Sequence, residues 1–375
     1  MRVGINARLI GTDASFRRAG VSRYIENLVR HLPGQLGSDD ELMVAGGPRS
    51  TPAGIADRWV GHPVGRIAWE QTALPIRARR DGWDLLHSPV NVTSLLRTVP
   101  AVVTVHDLAF MSAGATMPAA RRRYLAAMTH RSVRTAARVI AVSESTRDEL
   151  ARWFDVLPDR VAVTPLAPEP HFHPAGSDEL ADFRIRSGID RPFILSVGTR
   201  EPRKNGPALV RAWASIAASI PHDLVLVGPA GWLGGELDQA LADLTDGLRE
   251  RVRLTGFVDD ADLPRWYAAA AAFAYPALYE GFGLPVIEAM ACGVPVLTST
   301  TSSLPEVAGD AALLVPPGEV DAIAAGLQRL VTDSALAGDL RSRGLVRAAT
   351  FSWERTARQT VAAYRAALEC GPGET

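Results

Sequence analysis

The sequence predicts an α/β protein built from two doubly wound domains, each a parallel sheet covered by helices. Short β-branched runs alternate with amphipathic stretches of helix length along the whole chain, which is how parallel layers read in a sequence. The 375 residues, 47% of them hydrophobic, suffice for two cores of ordinary size. Between the halves, PLAPEPHFHPAG (Pro165–Gly176) is proline-rich and without period, as a linker is. Two domains joined there would face each other across a cleft.

The elements follow in order. Arg2–Ala7 alternates as a strand, and Met1 leads into it without the apolar region of a secretory signal, so no leader is expected. A helix follows Gly20, with Tyr24, Ile25, Leu28, Val29 and Leu32 on one face. Further strands are expected at Ala101–Val105, Val139–Val142 and Arg160–Thr164. The second half is more regular, with strands at Phe193–Val197, Leu224–Val227, Arg251–Leu254, Ala272–Tyr275, Pro295–Thr298 and Ala312–Val315. Trp353–Leu368 closes the pattern as a helix with Ala357, Val361, Tyr364 and Leu368 near one face.

Bulk properties exclude several classes. A net charge of -1 and a pI of about 6.7 give no global reason for a nucleic-acid partner. Cys292 and Cys370 form no CxxC or metal-ligand spacing, which favours a reduced cytoplasmic compartment and no structural metal. The most apolar run, Trp266–Leu278, is short and broken by Pro276, so it cannot span a bilayer.

Ligands of open α/β sheets bind beyond the C-terminal ends of strands. Four places there carry candidate chemistry. Gly20 precedes a helix and would let the backbone approach a phosphate; a flexible loop with a helix-start glycine explains it as well. His106 ends a strand and could bond a sugar hydroxyl with Asp107 orienting it, or be a buried structural pair. After Val197 and Gly198 come Thr199, Arg200, Arg203 and Lys204, just before a helix. Cations at a helix N-terminus run against the macrodipole and suit a diphosphate. The fourth stretch, YEGFGLPVIEAMACGVPV, sets Glu280 on the turn Gly281-Phe282-Gly283-Leu284 and Glu288 eight residues on, with Pro285 suited to the first helical position. Two carboxylates beside an anion site fit a ligand carrying both phosphate and hydroxyls. Asp260-Ala261-Asp262 could in form hold a metal, but it heads a helix at Leu263 and is read as capping. Gly231–Gly235 lacks the GxGxxG spacing of a dinucleotide site, and His171 and His173 have no metal-ligand grouping.

Together these residues resemble the retaining glycosyltransferase family 4, of GT-B fold. Glu280-x7-Glu288 matches that family's EX7E motif, supported by VHD at Val105–Asp107, AVSEST at Ala141–Thr146, EPRKN at Glu201–Asn205, GFVDDADLPRWY at Gly256–Tyr267 and SSLPEVAGDAALLVPP at Ser302–Pro317. The resemblance implies two Rossmann-like domains: an acceptor domain over 1–168, with 352–375 crossing back onto it, and a nucleotide-sugar donor domain over 169–351. It further implies that Glu280 contacts the donor sugar and Glu288 the ribose, with Phe282, Gly283 and Leu284 on the turn that offers backbone N–H groups. Lys204 would neutralise the leaving diphosphate, Gly20 cover it, His106 reach the sugar, and Phe257 lie beside the base. Two positions depart from the pattern. Thr199 stands where many members have Arg, so Arg200, Arg203 or Lys204 must supply that charge, and Ala167 stands where Gly is frequent.

The implied reaction is transfer of a hexose, with retention and without metal or cofactor, from a nucleoside diphosphate to an acceptor hydroxyl of a glycan, lipid-linked or small molecule. GDP-mannose is the first donor expected, since GTREPRKN and SSLPEVAGDAA look like mannosyltransferase-type members. The N-terminal domain would bind the acceptor, but its loops, such as Phe110–Pro118, carry no pattern that identifies it. RRRYLAAMTHRSVRTAAR (Arg121–Arg138) has six arginines and no acid, with apolar Leu125, Met128 and Val133, and so suits peripheral contact with the inner face of a membrane or a solvated helix face. A nucleotide-sugar epimerase and a non-catalytic sugar-binding module are the alternatives; a dinucleotide oxidoreductase lacks its fingerprint.

Overall fold

The computed structural model describes residues 1–10, 20–46, 63–112, 119–231 and 235–369. The chain divides into two compact units, Met1–Leu166 with Ser352–Thr375, and Ala167–Phe351.

Unit 1 holds β1 (Arg2–Asn6), β2 (Glu41–Ala45), β3 (Leu85–Ser88), β4 (Ala101–Val105), β5 (Arg138–Ala141) and β6 (Val161–Val163), paired in the order β2-β1-β3-β4-β5-β6. Every pairing is parallel. The near-continuous apolar run of β4, AVVTV, is buried along almost its whole length, as a central parallel strand covered on both faces must be. The helices are α1 (Gly20–His31), α2 (Pro63–Gln71), α3 (Ala73–Arg80), the short α4 (Ala109–Ser112), α5 (Ala119–Thr135) and α6 (Glu144–Phe154). Ser143 caps α6 by accepting from the Thr146 amide, which satisfies a donor the helix start leaves free.

Unit 2 repeats the plan with β7 (Phe193–Val197), β8 (Asp223–Val227), β9 (Val252–Gly256), β10 (Ala272–Tyr275), β11 (Val296–Ser299) and β12 (Ala312–Val315), in the order β12-β11-β10-β7-β8-β9 and all parallel. Its helices are α7 (Ser177–Ser187), α8 (Gly206–Ile216), α9 (Gly235–Ala242), α10 (Asp246–Arg249), α11 (Leu263–Ala269), α12 (Leu284–Ala291), α13 (Leu304–Ala308), α14 (Val320–Thr332) and α15 (Ser334–Ala349). Trp213 of α8 is fully buried against Leu224, Leu226 and Leu327, and its indole N–H is satisfied by the His222 carbonyl.

All ten expected strands are present, with ends moved by at most two residues, and β2 and β3 are additional. The last helix, α16 (Trp353–Glu369), belongs to unit 1. Its Trp353, Ala357, Val361, Tyr364 and Ala367 are buried, and it packs on α1, β4, β5 and β6. A buried polar chain fixes it. His87 of β3 bonds the Tyr364 hydroxyl through Nδ1 (2.7 Å) and the Thr104 hydroxyl through Nε2 (2.8 Å), and Thr104 meets the Tyr24 hydroxyl at 3.0 Å. Burial pushes the His87 imidazole down to about 3, and nearby His106 pushes the same way.

Candidate active site

In an open sheet the ligand crevice lies where the strand order reverses. In unit 2 the chain runs outward from β7 to β8 and β9, then returns to β10 on the other side of β7. The segments after β7 and β10 therefore flank one crevice, and they carry Thr199–Lys204 and Tyr279–Leu284.

After β7 the backbone passes through a single 3-10 turn, Pro202–Lys204, and Asn205 adopts a left-handed conformation at φ 59°. Asn205 holds that shape by donating to the carbonyls of Pro276 (3.0 Å) and Pro317 (2.7 Å). This turns Lys204 inward. Its Nζ donates to the Tyr275 hydroxyl at 2.6 Å and to the Glu280 carboxylate. Glu280 Oε1 also receives Arg203 Nη1 at 2.9 Å and the Tyr275 hydroxyl at 2.8 Å. Arg203 Nε is bound in turn to Glu201 Oε1 at 2.7 Å. Burial alone would raise the Glu280 carboxyl, but Lys204 and Arg203 outweigh it and hold it down at about 2. Burial lowers the Lys204 ammonium while Glu280 raises it; the strong depression of the carboxyl governs the pair, which stands as an ion cluster.

Arg200 is arranged differently. Its backbone bridges to Ala230 beside β8, and its side-chain Nε is buried without a hydrogen-bond partner. It lines a pocket with Gly198, Thr199, Lys204, Tyr275 and Glu236. The strand ends approach closely here, since a Cβ on Gly228 would lie 2.1 Å from the Gly198 carbonyl oxygen.

After β10 the turn is anchored from behind. Ser302 accepts from the Glu280 amide (3.0 Å), and Ser303 donates to the carbonyls of Glu280 (3.0 Å) and Phe282 (2.8 Å). Gly283 sits at φ 102° as the N-cap of α12, and no side chain caps that end. Pro285 has no N–H and the Val286 amide donates to the Gly283 carbonyl (3.0 Å), which leaves the Leu284 amide for the crevice. Pro285 occupies the second helical position rather than the first.

The structure thus brings Thr199, Arg200, Arg203, Lys204 and Glu280 together at one strand end. Glu288 lies a full turn into α12 rather than at its start; it is buried and accepts from the Tyr267 hydroxyl at 3.0 Å, so complementing the helix dipole does not explain it. The Phe282 ring packs edge-on against Phe351, leaving its backbone to face the turn. Phe257 follows β9 and is 45% exposed. Leu284 is buried as the first residue of α12. In unit 1, Gly20 opens α1 and His106 lies against Tyr24, one turn further on, with ring centroids 4.8 Å apart.

Several expectations are corrected. Asp107 does not orient the His106 ring: His106 Nε2 bonds the Pro89 carbonyl at 3.0 Å, while the Asp107 carboxylate accepts from the Ala109 amide. Asp262 makes no cap bond to α11; its carboxylate is spent on Arg265 at 2.8 Å. Val133 is fully buried and Leu125 packs on the unit 1 core, so the apolar side of α5 is used internally. Residues 113–118 of the Phe110–Pro118 loop, 232–234 and Cys370 lie outside the described residues. Tyr275, Glu201, Asn205 and the Ser302–Ser303 pair are site residues that sequence reasoning missed; Tyr275 could have been found as the polar tip of a strand aimed at the crevice. Among the described residues no three His, Cys, Asp or Glu side chains gather as a metal set.

Residues 191–333 match the family described as glycosyl transferases group 1, and residues 18–167 match glycosyltransferase family 4. The chain is 38% identical over 293 residues to O-antigen chain mannosyltransferase B of Escherichia coli, covering 77% of this chain and 76% of that one. It is 30% identical over 327 residues to the MMP alpha-(1->4)-mannosyltransferase of Mycolicibacterium hassiacum, covering 82% and 76%. The structure of Alr3699/HepE from Anabaena in complex with UDP-glucose shares the fold, with TM-score 0.74, 19% identity and coverage of 97% and 99%. With its two parallel six-stranded sheets and this crevice, the chain belongs to glycosyltransferase family 4 and has the GT-B fold.

Proposed function

We propose that this glycosyltransferase moves mannose from GDP-mannose to an acceptor hydroxyl with retention, forming an α linkage. The observation that carries the donor site is the ion cluster of Lys204, Arg203 and Glu280 at the β7/β10 switch point, beside the uncapped start of α12. Cations and the Leu284 amide there suit a diphosphate, and a carboxylate held ionised at its edge suits sugar hydroxyls. Arg203 is neutralised by Glu201 and Glu280, whereas Arg200 has a buried donor to spare. Arg200 is therefore the residue we assign to the charge that Thr199 does not supply. Glu288 would hold the ribose, Phe257 the base, and Gly20 and His106 the diphosphate and sugar from unit 1. Mannose rests on the two mannosyltransferase relatives.

In the step itself the bond from the anomeric carbon to the phosphate oxygen breaks and the acceptor oxygen bonds on the same face. The acceptor proton passes to the departing phosphate, so no side chain acts as base. Lys204, Arg200 and the Leu284 amide at the start of α12 stabilise the developing charge without a metal. We place the reaction in the cytoplasm.

The test is nucleotide release from GDP-, UDP-, ADP- and dTDP-sugars in EDTA, with and without acceptor glycans, and anomeric assignment of the product by NMR. Release fastest from GDP-mannose and an α product are expected. A β product, or activity only after metal is restored, refutes the mechanism; binding with no release at all, even to water, refutes catalysis.

A further inference from the structure

Each of the two acids at the donor crevice is met by a tyrosine, and the two tyrosines belong to one aromatic column. Tyr267 and Tyr275 stand eight residues apart, as Glu280 and Glu288 do. Tyr275 ends β10, whose sequence AFAY alternates small and aromatic. Ala272 and Ala274 turn toward the core around Trp213, so Phe273 and Tyr275 point to the other face of the sheet. Tyr267, on α11, completes the column. Its ring meets Phe273 edge-on with centroids 5.3 Å apart, and Phe273 stacks on Tyr275 at 5.8 Å. Phe172, from the linker, closes edge-on over Tyr267 at 5.9 Å. Tyr267, Phe273 and Tyr275 are all but completely buried.

Each hydroxyl of the column ends on one carboxylate. Tyr275 donates to Glu280 Oε1 at 2.8 Å, and Tyr267 donates to Glu288 Oε2 at 3.0 Å. Burial and the Glu280 charge push the Tyr275 hydroxyl up, so it keeps its proton and stays a donor. A glutamate side chain turns about three bonds, and a ligand that must first still those turns loses affinity. A packed ring has no such freedom and aims its oxygen along a fixed line. Lys204 and Arg203 also reach Glu280, at the same Oε1, but both are long chains and Lys204 must serve the diphosphate as well. Tyr275 is the partner of Glu280 that is set on a strand.

We propose that Tyr267 and Tyr275 are positioning residues, one for each acid: Tyr275 aims Glu280 at the donor sugar, Tyr267 aims Glu288 at the ribose, and the column between them holds the two grips in register. This rests on the donor reading above, in which those acids bind those groups. Each tyrosine acts through its acid. A column that served only to pack α11 against β10 would loosen both acids alike when either hydroxyl is removed, whereas separate aiming makes the two effects independent.

The test is calorimetric binding to the whole chain in two comparisons. GDP against 2′,3′-dideoxy-GDP reads the grip on ribose. GDP-mannose against its 2-, 3-, 4- and 6-deoxy analogues, taking the weakest of them, reads the grip on the sugar. If the release assay selects another nucleotide sugar, the same comparisons are made on that one. Wild type should lose about tenfold or more in each, as a hydroxyl bonded to a carboxylate requires. Y267F should shrink the ribose loss to about threefold or less and leave the sugar loss at its wild-type value, and Y275F should do the reverse. F172L keeps the Tyr267 hydroxyl but removes the ring behind it; it should shrink the ribose loss by a smaller factor, and it decides the matter for Tyr267 if Y267F does not fold. F273L keeps both hydroxyls and should shrink both losses. Undiminished losses in the variants, or both losses shrinking together in Y267F and in Y275F, overturn the proposal. Equal wild-type affinity for GDP and 2′,3′-dideoxy-GDP overturns the ribose role of Glu288 itself, and Tyr267's role with it, a failure of the donor reading that shows before any variant is made.

Discussion

Glu280 accepts from Lys204, Arg203 and Tyr275 at one oxygen, so its replacement takes a partner from two part-buried cations and a buried hydroxyl as well as removing a ligand group. In E280Q, turnover should fall by about 10²–10³, the cost of one lost electrostatic contact at a reacting centre. The pH dependence of stability tests the cluster separately. A carboxyl depressed to about 2 stabilises the fold above its unfolded value and loses that contribution as pH falls from about 4.5 through 2. Thermal melts over that window should drop more steeply for wild type than for E280Q. The two arginines should also separate. R200A removes a side chain with an unpartnered buried nitrogen, so donor turnover should fall with the melting temperature unchanged or slightly raised. R203A leaves Glu201 and Glu280 short of a partner and should lower both. None of this division was legible in GTREPRKN. The carboxylate pair could be read because its eight-residue interval is linear information, but which arginine is spent depends on the left-handed Asn205, whose two carbonyl partners lie 71 and 112 residues away.

At the scale of elements, the strands that sequence reasoning found are those with β-branched or aromatic runs, such as AVVTV and AFAY. The two it missed, ELMVA and LLHS, have a single β-branched residue between them, and β3 ends in polar residues. His87 and Ser88 are nonetheless fully buried, because α16 supplies a hydroxyl to the ring and Thr93 one to the serine. That choice has a measurable consequence. An imidazole held down near 3 is neutral in the fold and takes up a proton when unfolded, so its contribution is complete above about pH 6.5 and is lost as pH falls toward 3. Hydrogen exchange in α16, corrected for intrinsic rate, should accelerate below about pH 6. Y364F, which leaves a His87 nitrogen unpaired, should cost about 1–3 kcal/mol in denaturant titrations.

For the molecule as a whole, the two units differ in how the chain builds them. Unit 2 is one continuous segment with its own core, whereas unit 1 needs α16 to cover Tyr24 and the faces of β4 to β6. A fragment spanning 167–351 should therefore fold cooperatively and bind nucleoside diphosphate, measured by calorimetry, while 1–166 alone should show no sharp melt. Tight binding by a folded 1–166 would contradict this division. Sequence patterns carried the two-sheet plan because each sheet is written as local runs; the interleaving is not local, and it was expected from the family resemblance, with the apolar side of the last helix in agreement. During synthesis the opening 166 residues leave the ribosome first yet stay unfinished until the final turn of helix emerges. Every nascent copy must shelter that half-built surface while the middle of the chain folds, and a premature stop that trims only the last few turns would strand the first half of the protein.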